Sequence, residues 1–398
     1  MPRTPSSVST RSTWRGADSV RLTGEDIVKV GFIGLGVMGG HMARHLAGRY
    51  ELTVFDVDAA KMGALEAAVA AEARGSSTTV PSSGARCVAS VAAVGAACEL
   101  VLLSLPSSEI VEAVVTGEGG LREHMPSGGA VIDTSTTDPL VSKRIAARLA
   151  EHGIGFLDAP VSGGEGGAKA ATLSIMVGGP AELFDRCQPV LEVLGASVVR
   201  VGEVGAGGVA KLVNNMIVGA EFAVIAESFA LAKRMGLEVA QLYQAIRCGW
   251  AASAVLEVAA PGIIARDFAP GGSVDLLFKD LGYALQLARS ENVPTPMTAA
   301  ADEIFKAARA SGRGPQAQQV IIQLWGSCSG WRSSRRWYEA NGGTSPGSSS
   351  CPAERCRWRG RSALVRGLIP AGWRRFRSVS GGRGGAAAQC LDECRISR

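Results

Sequence analysis

No uninterrupted apolar run in this 398-residue chain reaches the ~18 residues that a membrane-spanning helix needs, so no membrane partner is expected. The nine cysteines include no C-x2-C pair. Cys87, Cys98, Cys187 and Cys248 are far apart in apolar or helical context, which reads as reduced thiols of an intracellular protein. The other five (Cys328, Cys351, Cys356, Cys390 and Cys394) are spaced C-x4-C and C-x3-C in a stretch without histidine, a poor zinc pattern, and no metal site is expected. Lysine is missing from residues 326–398, where 14 arginines stand against four acidic residues. The rest of the chain therefore holds 27 basic and 32 acidic residues. Despite the overall charge of +5, that mildly acidic body excludes a broad nucleic-acid surface.

What is present is an ordinary globular balance, 46% hydrophobic and 19% charged, in a chain long enough for two or three domains. Residues 1–27 carry Arg3, Arg11, Arg15 and Arg21 among Ser and Thr. A mitochondrial or plastid transit peptide and a plain disordered tail both fit; the second reading leaves the protein cytoplasmic. Residues 326–398 lack periodicity and hold four of the seven tryptophans. They read as an unpacked tail, with an Arg/Gly/Trp-rich RNA-binding segment as the competing reading.

Between these ends the pattern changes once. From Val28 to about 203, short β-branched runs (28–33, 52–55, 100–105, 130–133, 154–158, 172–177, 197–201) alternate with helical stretches, predicting an α/β domain with a doubly wound, mostly parallel sheet. From 204 to 325 the periodicity is helical, beginning with one helix of more than 25 residues from Val209 to Met235. The reading is thus four segments: 1–27, 28–203, 204–325 and 326–398.

Four motifs carry chemistry. Gly34-Leu35-Gly36-Val37-Met38-Gly39 follows a predicted strand and opens a helix, and Asp56 ends the next strand 22 residues after Gly34. This is the dinucleotide pattern: a tight turn, an open backbone at Gly36 for the pyrophosphate, close packing at Gly39, and phosphates at a helix N-terminus. Asp56 would accept the ribose hydroxyls and repel a 2′-phosphate, favouring NAD with NADP still open. Asp158 to Gly164, DAPVSGG, lies at the carboxyl edge of the sheet, where Ser162, Gly163 and Gly164 could offer a hydroxyl and amides to a carboxylate. In GAGGVAKLVNN, Lys211 has no acidic neighbour three or four places away and shares a helical face with Asn215. A proton-transferring lysine and a lysine snorkelling along an apolar helix fit that segment equally well. Phe278-Lys279-Asp280-Leu281 places a lysine at a helix where Asp280 would help cap the N-terminus.

Together these motifs, with Asp133-Thr134-Ser135-Thr136, resemble the β-hydroxyacid dehydrogenase family over residues 28–325. The resemblance implies a 6-phosphogluconate dehydrogenase-like fold: a Rossmann domain, a long interdomain helix and an all-α domain. It implies Lys211 as the catalytic lysine, with Ser162, Gly163, Gly164 and Asn215 at substrate. It places Leu105, Pro106, Thr136 and Lys279 near the cofactor. It also implies a small carboxylate substrate and a homodimer or homotetramer. SGGEGGAKAATLSIMVGG and LYQAIRCGWAASAVLE are most similar to the tartronate semialdehyde reductases, with the 3-hydroxyisobutyrate dehydrogenases as runner-up. A non-catalytic dinucleotide-binding scaffold is the reading of another class. Three departures stand out: a long loop at 74–86, Gly272 in place of a bulky residue, and GPQAQQVIIQLWG after Arg313 in place of an acidic, aromatic end. The last predicts that part of the final helix and some subunit contact are lost.

Overall fold

The computed structural model describes residues 29–75 and 84–326. The Arg/Ser/Thr-rich N-terminal segment, most of the 74–86 loop and the arginine-rich tail with its five cysteines lie outside them. In chain order the elements are β1 (Lys29–Ile33), α1 (Val37–Ala47), β2 (Glu51–Phe55), α2 (Ala59–Gly75), β3 (Ala85–Cys87), α3 (Val91–Ala97), β4 (Leu100–Leu103), α4 (Ser108–Thr116), α5 (Leu121–His124), β5 (Ala130–Asp133), α6 (Pro139–Ala150) and β6 (Gly155–Asp158). Then come β7 (Val161–Ser162), α7 (Gly164–Ala170), β8 (Leu173–Gly178), α8 (Ala181–Leu191) and β9 (Gly195–Gly202). The helical part has α9 (Ala206–Arg234), α10 (Val239–Ile246), α11 (Ala254–Ala265), α12 (Val274–Ser290), α13 (Pro296–Ala310) and a 3-10 helix (Gln318–Trp325).

The strands form one sheet in the order β3-β2-β1-β4-β5-β6-β8-β7, with β9 on β8. From β3 to β6 every pairing is parallel. These strands are buried on both faces and read as continuous apolar runs such as LVLL and AVID. The chain order reverses between β1 and β4, which puts the carboxyl ends of those strands at the switch point where ligands bind in such sheets. β8 runs antiparallel to β6 and β7 but parallel to β9.

The predicted strands and helices are present, with differences that have local causes. β3 was read as loop because ARC is too short to show alternation. α4 is helical because Ser107 caps it, its Oγ accepting from Ile110 N, and this follows a strand end that was read as running to Leu105. α11 runs on through Pro261 to Ala265, although proline usually ends a helix. Asp280 does not cap α12. The cap is Ser273, whose Oγ accepts from Leu276 N, and Asp280 lies in the second turn.

α9 is the one helix among the described residues long and apolar enough, by length and composition, to cross a membrane. Here protein packs against it along its length: β8, β9 and α6 near its start, then α11, α12, α13 and the 3-10 helix. Phe222, Ala226, Phe229 and Ala230 join the core of the helical part with Leu277, Leu281, Phe305 and Val320. The segment after Arg313 forms part of this core, with Val320 and Ile321 fully buried.

Candidate active site

The loop after β1 is shaped by its glycines. Gly34 has φ +95°, and a Cβ there would run into the carbonyl of Ser104. A Cβ on Gly39 would overlap the carbonyl of Gly34, so helix and loop are packed too closely for any side chain. Gly36 is the opposite case: nothing lies within 4 Å of an added Cβ. No side chain caps the start of α1, whose first turn is therefore free to take an anion. A flat, side-chain-free approach ending on an uncapped helix fits a dinucleotide pyrophosphate. Leu35 is buried, Val37 is exposed and Met38 is half-buried beside this approach.

Asp56, at the end of β2, is buried, and its Oδ2 accepts from Leu35 N at 2.6 Å while Oδ1 accepts from Asp58 N at 2.8 Å. Lys61 Nζ stands 3.7 Å from Oδ1. The acidic residue thus braces the glycine loop. On the next strand, Leu105 N donates to Ser135 Oγ at 2.8 Å, placing Leu105 and Pro106 against the loop after β5.

That loop is organised by Asp133. Its carboxylate, fully buried, accepts from Ser135 N and from Thr137 Oγ1 (3.0 and 2.6 Å). Burial pushes the Asp133 carboxyl up to about 6, against the pull of these hydrogen bonds. The carbonyl of Thr136 accepts from Lys279 Nζ at 3.1 Å, which ties the sheet edge to α12. Lys279 also lies over the Tyr283 ring, 5.0 Å from its centroid, and Ser108 Oγ donates to Tyr283 Oη at 3.2 Å.

α9 brings its side chains to the same place. Lys211 is 9% exposed and Asn215 7%. The Lys211 ammonium has no hydrogen bond or ion pair among the described residues. Burial pushes it below the ordinary lysine range; Asp280 opposes that shift and Lys279 adds to it. Asn215 Nδ2 donates to Asp280 Oδ2 at 2.6 Å, and Lys279 Nζ is 3.0 Å from Asp280 Oδ1. Lys211, Asn215, Lys279, Asp280 and Thr136 therefore form one polar cluster between α9, α12 and the β5 loop. Ser162 is half-buried on β7, and Gly163 and Gly164, both with positive φ, turn the chain into α7. α7 is held against α1 by His45 Nε2, 3.1 Å from the carbonyls of both Ala168 and Lys169, and by His41 facing Glu165 at 3.7 Å. Among the described residues no group of three His, Cys, Asp or Glu side chains is arranged to hold a metal.

Residues 29–202 match the model of the NAD-binding domain of 6-phosphogluconate dehydrogenase, and residues 205–325 the NAD-binding model of NADP-dependent 3-hydroxyisobutyrate dehydrogenase. The chain is 38% identical over 307 residues to a 2-(hydroxymethyl)glutarate dehydrogenase of Eubacterium barkeri, covering 77% of this chain and 97% of the relative. The chain belongs to the β-hydroxyacid dehydrogenase family. A 2-hydroxy-3-oxopropionate reductase of Escherichia coli is 35% identical, over 74% of this chain and 96% of the relative. A 3-hydroxyisobutyrate dehydrogenase of Mycobacterium tuberculosis, solved with L-serine, superposes with a TM-score of 0.65 at 29% identity, over 75% of this chain and 99% of that one. This β-hydroxyacid dehydrogenase is accordingly an NAD(P)-dependent oxidoreductase acting on CH–OH groups.

Two acidic residues, one in the cluster and one beside the start of α9, have no function assigned from sequence alone. Asp280 was assigned to a helix end, and only the fold shows it inside the site. Asp158 passed as the first letter of DAPVSGG. In the structure it is 2% exposed, and its two oxygens accept from Gly205 N at 2.7 Å and Gly208 N at 2.8 Å, at the start of α9. An acid at the end of a strand followed by a glycine-rich helix start was the available signal.

Proposed function

We propose that the enzyme interconverts a small 3-hydroxyacid and its semialdehyde, and that its substrate is 2-hydroxy-3-oxopropanoate, tartronate semialdehyde, reduced to glycerate. The observation that carries the reading is Lys211, a buried lysine with no ion pair, one turn from Asn215 in the polar cluster between α9, α12 and the β5 loop. When bound, the reduced nicotinamide supplies a hydride to the aldehyde carbon. Lys211 donates its proton to the carbonyl oxygen, leaving an alcohol and a neutral amine; in oxidation the amine takes the proton back. Ser162 and the amides of Gly163 and Gly164 hold the carboxylate, with Asn215 on the same substrate and its amide oriented by Asp280. The Gly34 to Gly39 loop, Leu105, Pro106 and Thr136 hold the dinucleotide, and Lys279 stands near its nicotinamide end. Asp56 favours NAD over NADP, because a 2′-phosphate would meet its carboxylate. In this reading residues 28–203 carry the cofactor and 204–325 close the substrate side. Assembly as a homo-oligomer is supported by Val213, Ile217, Val224 and Leu231, exposed along α9.

A second reading rests on the Eubacterium barkeri relative. 2-(Hydroxymethyl)glutarate has the same hydroxymethyl group beta to a carboxylate, with a longer acidic substituent between them. The test is a kcat/KM panel of tartronate semialdehyde, 2-(hydroxymethyl)glutarate, 3-hydroxyisobutyrate and succinic semialdehyde with both nucleotides. The proposal expects tartronate semialdehyde with NADH to lead. A lead for 2-(hydroxymethyl)glutarate moves the assignment to the larger diacid. Nucleotide binding without turnover of any of them would make the protein a scaffold.

A further inference from the structure

Asp133 and Asp158 are register partners on the neighbouring parallel strands β5 and β6, so two buried carboxylates stand side by side at the carboxyl edge of the sheet. Their partners differ in kind. Asp133 binds one backbone amide and one hydroxyl, Thr137 Oγ1, which can turn from donor to acceptor. Asp158 binds two backbone amides, Gly205 N and Gly208 N, which can only donate. Those amides belong to the first turn of α9, the turn that precedes Lys211.

The surroundings of Asp158 are built to hold that turn close. A Cβ on Gly207 would overlap the carbonyls of Asp158 and Met176, and a Cβ on Gly178 would overlap Asp158 Oδ1. Helix and sheet therefore meet without side chains between them, and the carboxylate bridges the contact. Gly205, with φ +94°, turns the chain into the helix and has no side chain to act as a cap. Asp158, from another element, does what a capping residue would do, and its charge suits the positive end of the helix.

We infer that Asp158 is a positioning residue for the hydride-transfer reaction: its carboxylate fixes the first turn of α9 and through it the place of Lys211 in the cleft. The inference rests on the reading of Lys211 as proton donor. A displacement of about 1 Å in a reacting group can cost on the order of 100-fold in rate. The groove on the cofactor side is formed mainly by other elements, β1, α1, β4 and the β5 loop.

The experiment compares Asp158→Asn, Asp133→Asn and Lys211→Ala in the full chain. It measures kcat and KM with tartronate semialdehyde and, separately, NADH affinity by the nucleotide's fluorescence. In Asp158→Asn one backbone amide is left facing an amide NH2 group. The expected result is a kcat lowered ~10–100-fold, with NADH affinity within about twofold of the parent. Asp133→Asn, in which Thr137 can reverse its hydroxyl, is read by NADH affinity as well as kcat because Asp133 organises the β5 loop; a kcat loss there as selective as that of Asp158→Asn would overturn the inference. If Asp158→Asn retains parental kcat while Lys211→Ala is inactive, the positioning role is wrong and the lysine reading stands. If Lys211→Ala keeps its rate, the reading underneath has failed. A parallel loss of kcat and NADH affinity in Asp158→Asn would mark a structural role only and overturn the inference. Should Asp158→Asn not fold, Gly208→Ala decides. Its Cβ would lie 3.2 Å from Pro139 Cγ and 3.3 Å from the Thr137 carbonyl, wedging the turn outward while the carboxylate stays. A lowered kcat with NADH binding kept supports the inference, and parental kcat overturns it.

Discussion

Lys211 is the residue at which burial and chemistry meet. Lys211 is 9% exposed and its ammonium gains no ion pair, so the hydration it loses is offset only in part by the more distant charge of Asp280. The lowered pKa that results makes the proton easier to give up, which suits the proton-donor role proposed for it. Reduction needs the protonated form, so its rate falls as pH rises through the Lys211 pKa, below the ordinary lysine value; oxidation rises over the same range. Lys211→Ala should lower kcat by ~10²–10⁴-fold with NADH affinity unchanged, measured by steady-state kinetics and fluorescence titration. Asp133 gives a prediction about stability. Its folded carboxyl holds its proton up to about pH 6, above the unfolded value, so the folded state binds more protons in between. Stability from this group is therefore full at low pH and is lost as pH rises toward 6. Denaturant titrations of Asp133→Asn at pH 4 and pH 6 should show that loss removed. Lys211 and Asn215 could be found in the sequence because their spacing puts them on one helix face. Asp280 could not, because its partners are 65 and 143 residues away for itself and its neighbour Lys279.

At the scale of elements, the start of α9 is a tightly constrained joint. Gly207 sits where a Cβ would overlap two strand carbonyls, and backbone cannot yield as a side chain can. Gly207→Ala should therefore destabilise by at least the ~1–3 kcal/mol typical of overpacking, seen as a lower denaturation midpoint. Long apolar runs such as the one that forms α9, and motifs that need a strand before a helix, were legible because period and length leave one solution. β3 and the end of α11 were not, since three residues show no period and Pro261 is tolerated by the surrounding core. The 3-10 helix after Arg313 is a sharper case. A segment expected to depart from the family's ending lies within the second family match and fills the core, with Val320 and Ile321 fully buried. Ile321→Ala should cost ~2–5 kcal/mol in an equilibrium unfolding experiment, as expected of a residue inside the fold rather than at a frayed end.

For the whole molecule, the proposed active-site residues all lie within residues 29–326. Every residue of the polar cluster lies there, and the second family match ends at residue 325. Some three-quarters of this chain spans 97% of the Eubacterium barkeri relative and 99% of the Mycobacterium tuberculosis one, so those enzymes have almost nothing beyond what this part provides. The charge divides at the same point: residues up to 325 are mildly acidic, while 326–398 carry 14 arginines against four acids. A chain ending at Gly326 should therefore keep the kcat and NADH affinity of the full chain within about twofold. It should lose whatever binding the arginines provide, and that binding should weaken steeply with salt if its ligand is a polyanion such as RNA. Matched assays of the two chains, kinetics on one side and RNA binding at two salt concentrations on the other, separate these properties. A truncated chain that folds and binds NADH but fails to turn over would show that residues beyond 326 contribute to catalysis.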